Sequence, residues 1–152
     1  LVFLCDILID VKSHAALDKI KIKLPKASVT YKVSGVQFAW NYTHPGVDGT
    51  FGTEDDFEPD ELVVPVHKVV HIQLTAEDVL HSLWIPNLRF KQDAVPGRTI
   101  TGWFEANKVG NYPIACAELC GAQHGYMKSE LKVLDQNSYN QWVRSESESA
   151  MN

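Results

Sequence analysis

Short segments in which apolar and polar residues alternate are the feature that most constrains how this chain folds. In residues 69–75, Val70, Ile72 and Leu74 share one face, which is the period-2 pattern of a strand with one buried side. Further segments rich in β-branched and aromatic residues are 29–33, 36–42, 82–85, 99–105, 112–116 and 128–134. Many short strands at near-regular spacing predict an all-β fold, an antiparallel sandwich or barrel.

Changes of pattern divide the chain into three parts, although its 152 residues fit one folded domain. Residues 1–28 are expected to form an N-terminal segment, residues 29–135 the β domain, and residues 136–152 a short C-terminal helix with a polar tail. Asp135 is placed to cap that helix. The tail from 145 to 152 is polar, which predicts a frayed end or a linker.

The first eleven residues are apolar apart from Asp6 and Asp10. A helix of that length rises about 16 Å, roughly half of a bilayer's hydrocarbon core. Two interpretations stay open: the end of, or link to, a membrane anchor, because the chain begins without Met, or a short element packed on the domain. We expect the chain itself to be soluble, with membrane association through residues or subunits outside it.

Charge restricts the class of partner. The formal net charge of −5 argues against nucleic-acid binding and favours basic protein partners. Carboxylates crowd residues 54–61, and Glu77 and Asp78 lie further along. These groups could steer a basic protein, although a solvated acidic loop is the simpler interpretation of residues 54–61.

The most specific chemical signal is a segment with four potential metal ligands. Cys116, Cys120, His124 and Met127 lie within twelve residues, and thiolates with a thioether and an imidazole suit copper. Zinc rarely recruits Met, and calcium or magnesium prefers oxygen ligands. Two alternatives without a metal remain. The cysteines could form a disulfide, or the four residues could form a buried stripe on one face of a helix, since their spacing allows it. Intervening glycines and a preceding strand favour a loop that holds a metal.

Two cysteines four residues apart are close enough for both sulfurs to bridge a pair of copper ions, whereas a mononuclear blue-copper site uses one Cys. A second histidine must come from elsewhere in the chain. His81, at the entry to a predicted strand, is our choice. His14 and His44 have polar or turn surroundings that predict solvation. The remaining candidates, His67 and His71, flank the 69–75 strand, and His71 alternates with the apolar face, which predicts exposure.

Three runs of sequence resemble the CuA domain of cytochrome c oxidase subunit II. Residues 76–86 look like that family's first ligand loop and residues 88–98 like the segment after it. The pattern Cys-x-Glu-x-Cys-Gly-x-x-His-x-x-Met over 116–127 matches the CuA motif. The resemblance covers about 29–143. It implies a cupredoxin-like Greek-key β-sandwich or barrel at the periplasmic, or mitochondrial intermembrane, face of a respiratory membrane.

The resemblance also implies a ligand set and partners. Cys116 and Cys120 would bridge two coppers, with His81 and Met127 on one and His124 and the Glu118 backbone carbonyl on the other. The Glu118 carboxylate would help to bind magnesium or manganese at the boundary with subunit I. Electrons would pass from a cytochrome c-type or other small redox donor protein to haem a in subunit I. The isolated domain would have no turnover of its own, because it offers no substrate pocket or acid–base pair.

One departure concerns electron entry. The family has an aromatic run beginning Gly-His-Gln-Trp, whereas residues 35–42 place Phe38 at the entry position and Trp40 later. Either aromatic could admit electrons, or both could simply belong to an inward strand face. Two other protein classes remain as alternative interpretations of the whole chain: the CuA domain of nitrous-oxide reductase, and a Sco-type copper chaperone with a thioredoxin-like fold.

Overall fold

The computed structural model describes residues 1–151, and within that range two β-sheets and two α-helices account for most of the chain. The helices are α1 (Val2–Leu17) and α2 (Gln136–Ala150). The strands are β1 (Val29–Val36), β2 (Ala39–Thr43), β3 (Leu62–Pro65), β4 (Val69–Ala76), β5 (His81–Ile85), β6 (Phe90–Ala94), β7 (Ile100–Glu105), β8 (Gly110–Cys116) and β9 (Lys128–Leu134). The predicted all-β sandwich with a C-terminal helix is confirmed.

Strand order places sequence-distant strands side by side. One sheet has the order β2-β1-β4-β7 and the other β3-β9-β8-β5-β6. Most pairs are antiparallel, as predicted, but β1 pairs with β4 and β3 with β9 in parallel. Parallel neighbours cannot be joined by a hairpin, so both pairs depend on connections that cross between the two sheets.

The core lies between the sheets, where the period-2 pattern puts the apolar side chains. Along β4 burial alternates residue by residue, and Val70, Ile72 and Leu74 are fully buried. Each such side chain stabilises the fold by about 1.5–3 kcal/mol relative to an exposed one. On the other face, His71 is half-buried instead of exposed as predicted, because its Nε2 lies 2.8 Å from the carbonyl oxygen of Pro25.

The predicted strand at 36–42 is confirmed only from Ala39 onward, where β2 begins, because a tight turn divides the segment. Val36 pairs with Ala39, so Gln37 and Phe38 form a two-residue hairpin loop between β1 and β2. Beyond the turn Trp40 is buried, as expected for an inward strand face. Phe38 instead lies half-buried in the turn itself.

Helix α2 packs against a small aromatic cluster of its own. Asp135 caps the helix as predicted, and its carboxylate accepts the backbone N–H groups of Asn137 and Ser138. The helix continues through Ala150, well into the stretch expected to fray, because the Tyr139 face remains buried along it. Asn152, the end of the predicted tail, lies outside the described residues.

The prediction that His44 is solvated is wrong. Its side chain is 2% exposed, stacked on Phe57 with ring centroids 4.7 Å apart. Its Nε2 lies 2.8 Å from the hydroxyl oxygen of Tyr139. His44, which the sequence places in a turn, therefore lies at the centre of the contact between the sandwich and α2.

The N-terminal segment forms a helix that stands away from the sandwich. Every residue of α1 is exposed. The helix is therefore not packed on the domain, which was one of the two interpretations of this segment. The sandwich is joined to the chain that follows α1, where Trp103 Nε1 donates to the carbonyl oxygen of Ile20 at 2.9 Å. Within residues 1–151 the structure contains no helix both long and apolar enough to span a membrane.

Candidate metal centre

Two loops at one end of the sandwich bring the predicted ligands together. His81 begins β5 and Cys116 ends β8, and these antiparallel strands pair with Leu83 opposite Cys116. The loop from Cys116 to Met127 closes on itself, because the Cys116 N–H donates to the Met127 carbonyl at 3.1 Å. Strand pairing therefore places side chains that are 35 residues apart at one point.

The two cysteines and His81 form a compact buried cluster. Their ligand atoms all lie within 4.8 Å of one another. The Cys116 and Cys120 sulfurs are 3.8 Å apart, and both cysteines are free thiols. His81 Nδ1 is 3.9 Å from the Cys116 sulfur. This arrangement can hold a soft metal ion between sulfur and imidazole nitrogen.

His124 and Met127 join the same cluster through the Cys120 sulfur. His124 Nδ1 is 3.5 Å and the Met127 sulfur 3.8 Å from the Cys120 sulfur. Met127 is fully buried. The helical-stripe alternative is wrong, because only a single 3₁₀ turn, His124–Tyr126, interrupts the loop.

Glu118 offers oxygen atoms from both its backbone and its side chain. The Cys116 thiol donates to the Glu118 carbonyl oxygen at 3.2 Å, so that oxygen borders the sulfur cluster. The Glu118 side chain is exposed. The residue therefore offers a neutral oxygen to the cluster and a carboxylate to its surroundings.

Asp78 orients His81, and sequence reasoning did not assign it this role. The Asp78 carboxylate lies 2.8 Å from His81 Nε2 and also accepts the N–H groups of Val79 and Gln37. Partial burial opposes ionisation of Asp78, but the hydrogen bonds, led by that of His81, outweigh it and lower its pKa to about 2. A proton held on Nε2 leaves the Nδ1 lone pair directed at the cysteines, which is the usual support for a metal-binding histidine.

Residues of β1 and β2 also pack closely against the His81 ring. Trp40 meets it edge-on, with ring centroids 5.9 Å apart. A Cβ atom on Gly35 would lie 2.9 Å from His81 Cδ2, which leaves no space for a side chain there. Of the two predicted entry aromatics, Trp40 therefore packs on a predicted ligand. Phe38 packs over the cysteine loop, 3.1 Å from where a Gly121 Cβ would be.

Metal-free Cys120 stays protonated at neutral pH. Burial raises the pKa of Cys120 to about 11, and the neighbouring Cys116 adds to the effect. A bound cation would displace this proton, since thiols ligate metals as thiolates. Two thiolates, two imidazoles, a thioether and a carbonyl oxygen form a donor set that suits copper better than zinc or a hard cation.

Comparison with known proteins agrees with this donor set and this fold. The family model "Cytochrome C oxidase subunit II, periplasmic domain" matches residues 56–134, which include all the cysteine-loop ligands and His81. The chain belongs to the cytochrome c oxidase subunit II family. The His/Cys/Cys cluster is consistent with the CuA site of that family.

Individual members of the family support the assignment. Cytochrome c oxidase subunit 2 of Thermostichus vulcanus is 43% identical over 112 residues, which are 74% of this chain and 32% of that protein. The crystal structure of the periplasmic domain of subunit II of cytochrome oxidase from Bradyrhizobium japonicum is 33% identical, with a TM-score of 0.74. It covers 84% of this chain and 99% of that one. The β-sandwich is therefore cupredoxin-like.

A further solved structure is titled as a mixed disulfide intermediate between a thioredoxin-like protein and subunit II of cytochrome c oxidase. It is 32% identical, with a TM-score of 0.71, and covers 86% of this chain and 99% of that chain. The curated relatives are longer. This chain spans 46% of a Rickettsia felis relative and 32% of the Thermostichus vulcanus protein.

Proposed function

We propose that this chain is the electron-entry domain of a haem-copper terminal oxidase and holds a dinuclear copper centre. The observation that carries the proposal is the pair of buried sulfurs 3.8 Å apart, around which all the other candidate ligands converge. When bound, a copper pair accepts and releases one electron. The protein supplies a buried, closely packed site in which the ligands have little freedom to move.

Each candidate ligand has a role in this proposal. Cys116 and Cys120 would bridge the two coppers, since each sulfur faces the other and a different set of neighbours. His81 and Met127 would complete one copper. His124 and the Glu118 carbonyl would complete the other. The Glu118 carboxylate, on an exposed residue, would help to hold magnesium or manganese at a subunit boundary, because hard cations prefer oxygen.

The partners and location follow from the proposed role. A cytochrome c-type or other small redox donor protein would supply electrons, and subunit I would receive them at its haem. The domain would face the periplasm or the mitochondrial intermembrane space. Residues 1–28, which include the exposed helix α1, would connect it to the membrane part of the oxidase, and residues 29–135 would form the copper-binding unit. The described residues form a β-sandwich, not the thioredoxin-like fold that a Sco-type chaperone requires.

Copper stoichiometry with electron paramagnetic resonance tests the dinuclear centre. We expect two coppers per chain after loading, and an oxidised form whose hyperfine pattern shows one unpaired electron shared by two nearly equivalent copper nuclei. A four-line spectrum from one copper in fully loaded protein would exclude the shared pair.

As a second proposal, the two cysteines would form a disulfide that a thiol–disulfide exchange partner reduces. The distance between the two sulfurs favours this proposal. Sulfurs 3.8 Å apart need to approach by less than 2 Å to form a disulfide bond, so oxidation would remove both bridging ligands. A relative forms a mixed disulfide with a thioredoxin-like protein. We expect oxidised chain to bind copper only after such a protein reduces it. Equal copper uptake by oxidised and reduced chain would contradict this.

A further inference from the structure

The β1–β2 turn lies between the two ligand loops and is hydrogen-bonded to both. The Gln37 backbone N–H donates to Asp78 Oδ2 at 2.7 Å, while the other oxygen of that carboxylate lies 2.8 Å from His81 Nε2. The Gln37 side-chain amide donates to the Cys120 carbonyl at 2.5 Å. One residue thus links the support of His81 to the backbone of Cys120.

The contact between the turn and the cysteine loop is also tight. A Cβ atom on Gly121 would lie 2.8 Å from Gln37 Nε2 and 3.1 Å from the Phe38 ring. Gly121 has φ +135°, a backbone conformation that residues with side chains rarely adopt. The loop therefore follows a path that lets Gln37 reach the carbonyl immediately before this glycine.

We propose that Gln37 is a positioning residue that sets the geometry between the His81 side and the Cys120 side of the copper site. The inference rests on the proposed function. Cys120 joins the two cysteines to the rest of the loop ligands, since its sulfur meets Cys116, His124 and Met127. Holding its carbonyl fixes where that sulfur points. The same residue, through Asp78, holds the ring of His81.

Three substitutions at Gln37 separate the hydrogen bond from the shape of the side chain. Gln37→Met keeps the length and removes the donor. Gln37→Glu places a carboxylate against the Cys120 carbonyl. Gln37→Lys restores a donor. The matched control is Ser34→Ala, which removes a hydrogen bond from the same hairpin to Glu77, next to Asp78, and leaves both hydrogen bonds of Gln37 in place.

The first readout uses copper-loaded protein. We expect Gln37→Met and Gln37→Glu to lose copper to excess chelator about five- to tenfold faster, as the loss of one hydrogen bond implies, and to show less equivalent copper hyperfine couplings. Gln37→Lys and Ser34→Ala should stay close to wild type in both. A wild-type rate and spectrum in Gln37→Met would overturn the inference.

The second readout uses metal-free protein, so that it does not depend on copper. In a Cys5→Ser background the remaining thiols are Cys116 and Cys120. Their rate of reaction with a disulfide reagent should rise several-fold in Gln37→Met, because the cysteine loop is released, with the melting temperature nearly unchanged. Unchanged thiol reactivity would overturn the inference, as would a fall in melting temperature large enough to explain the gain. A wild-type protein that takes up no copper pair would overturn the proposed function, while this readout would still decide the role of Gln37.

Discussion

At the scale of single residues, Glu118 offers different oxygen atoms to different surroundings. Its carbonyl borders the Cys116 sulfur and its carboxylate is exposed. A backbone ligand depends on the path of the loop and hardly on the identity of the side chain. In the proposed oxidase assembly, the carboxylate would then be free to bind a hard cation.

Glu118→Gln should therefore leave the copper site of the isolated domain almost unchanged. We expect wild-type copper content and a nearly identical mixed-valence spectrum from the domain alone. In the assembled oxidase the same change should weaken the magnesium or manganese site, measured by manganese occupancy, and slow electron transfer to haem a. Loss of copper from a folded Glu118→Gln domain would show that the side chain is a ligand.

The sulfur ligands should differ sharply in importance. Cys116→Ser or Cys120→Ser should abolish the shared-electron spectrum, because an alcohol bridges copper poorly at neutral pH. Met127→Leu should keep two coppers and alter the reduction potential and the symmetry of the hyperfine pattern, since a thioether is the weakest donor of the set. Electron paramagnetic resonance and potentiometry measure both effects. Equal losses from all three variants would contradict this ranking.

Gly35 matters because it leaves room for His81. In Gly35→Ala the new Cβ would come within 2.9 Å of His81 Cδ2 and 3.0 Å of Trp40, so one ring must shift. Overpacking of this kind costs about 1–3 kcal/mol, and displacing the His81 ring should also weaken copper binding. Chelator competition and urea unfolding measure the two effects.

Gly125→Ala is the matched control for that change. Gly125 lies between His124 and Met127, yet a Cβ there would meet nothing within 4 Å. We expect copper affinity and stability close to wild type. If both glycine variants lose copper equally, the cause is the loss of a glycine and not crowding of His81.

At the scale of elements, the contact between α2 and the sandwich depends on a neutral histidine. His44 sits among the rings of Phe57, Tyr139 and Trp142, and its Nδ1 has no hydrogen-bond partner within residues 1–151. Burial lowers the pKa of His44 to about 4, although the nearby carboxylates Asp55 and Asp56 partly oppose this shift. Protonation would place a charge inside an aromatic cluster.

Stability should therefore fall with acidification in a definite window. Between about pH 6.5 and pH 4 the unfolded chain binds a proton at His44 that the folded chain does not, so the free energy of unfolding decreases as pH falls. The loss reaches at most about 3 kcal/mol near pH 4. Urea unfolding followed by tryptophan fluorescence, at pH values from 7 to 4, should show it.

His44→Phe is the control, because it keeps an aromatic ring and removes the titration. We expect the difference in pH dependence between the two proteins to be confined to this window. Carboxylates with lowered pKa values, such as Asp135, act below about pH 4, where the unfolded carboxylates become protonated. Parallel pH profiles for the two proteins would show that His44 does not control the docking of α2.

At the scale of the whole molecule, the acidic groups fall in different regions. Glu77 and Asp78 adjoin His81, whereas Glu54 lines a groove with Ser147 and other residues of α2. The groove lies at the Thr43 end of β2, and the metal site adjoins the Ala39 end of the same strand. A five-residue strand separates its ends by about 14 Å, more than the roughly 10 Å over which surface charges act at 0.1 M salt.

Steering of a basic donor should therefore depend on the nearer carboxylates. Glu77→Gln should lower the association rate and its dependence on ionic strength, while Glu54→Gln should change both much less. Stopped-flow reduction by a basic cytochrome c-type protein at several salt concentrations measures this. Salt-independent rates would indicate an apolar contact instead, and a larger effect of Glu54→Gln would place the donor beside α2.

Local sequence patterns were enough to predict a copper-type ligand set and the class of fold. Ligand identity and spacing between Cys116 and Met127 indicated a copper loop, and strand periodicity indicated a β-sandwich, because both signals depend on residues close together in the chain. Which distant residues meet this loop follows from the three-dimensional arrangement of the strands. Pairing of β5 with β8 brings His81 to Cys116, and the unexpected turn at Gln37 joins both ligand loops. Burial of His44 likewise depends on α2, because Tyr139 of that helix contacts His44 although the two residues are 95 positions apart in the sequence. Local patterns report which face of a strand is buried, but contacts between distant segments follow from strand order and register, which no short stretch of sequence specifies.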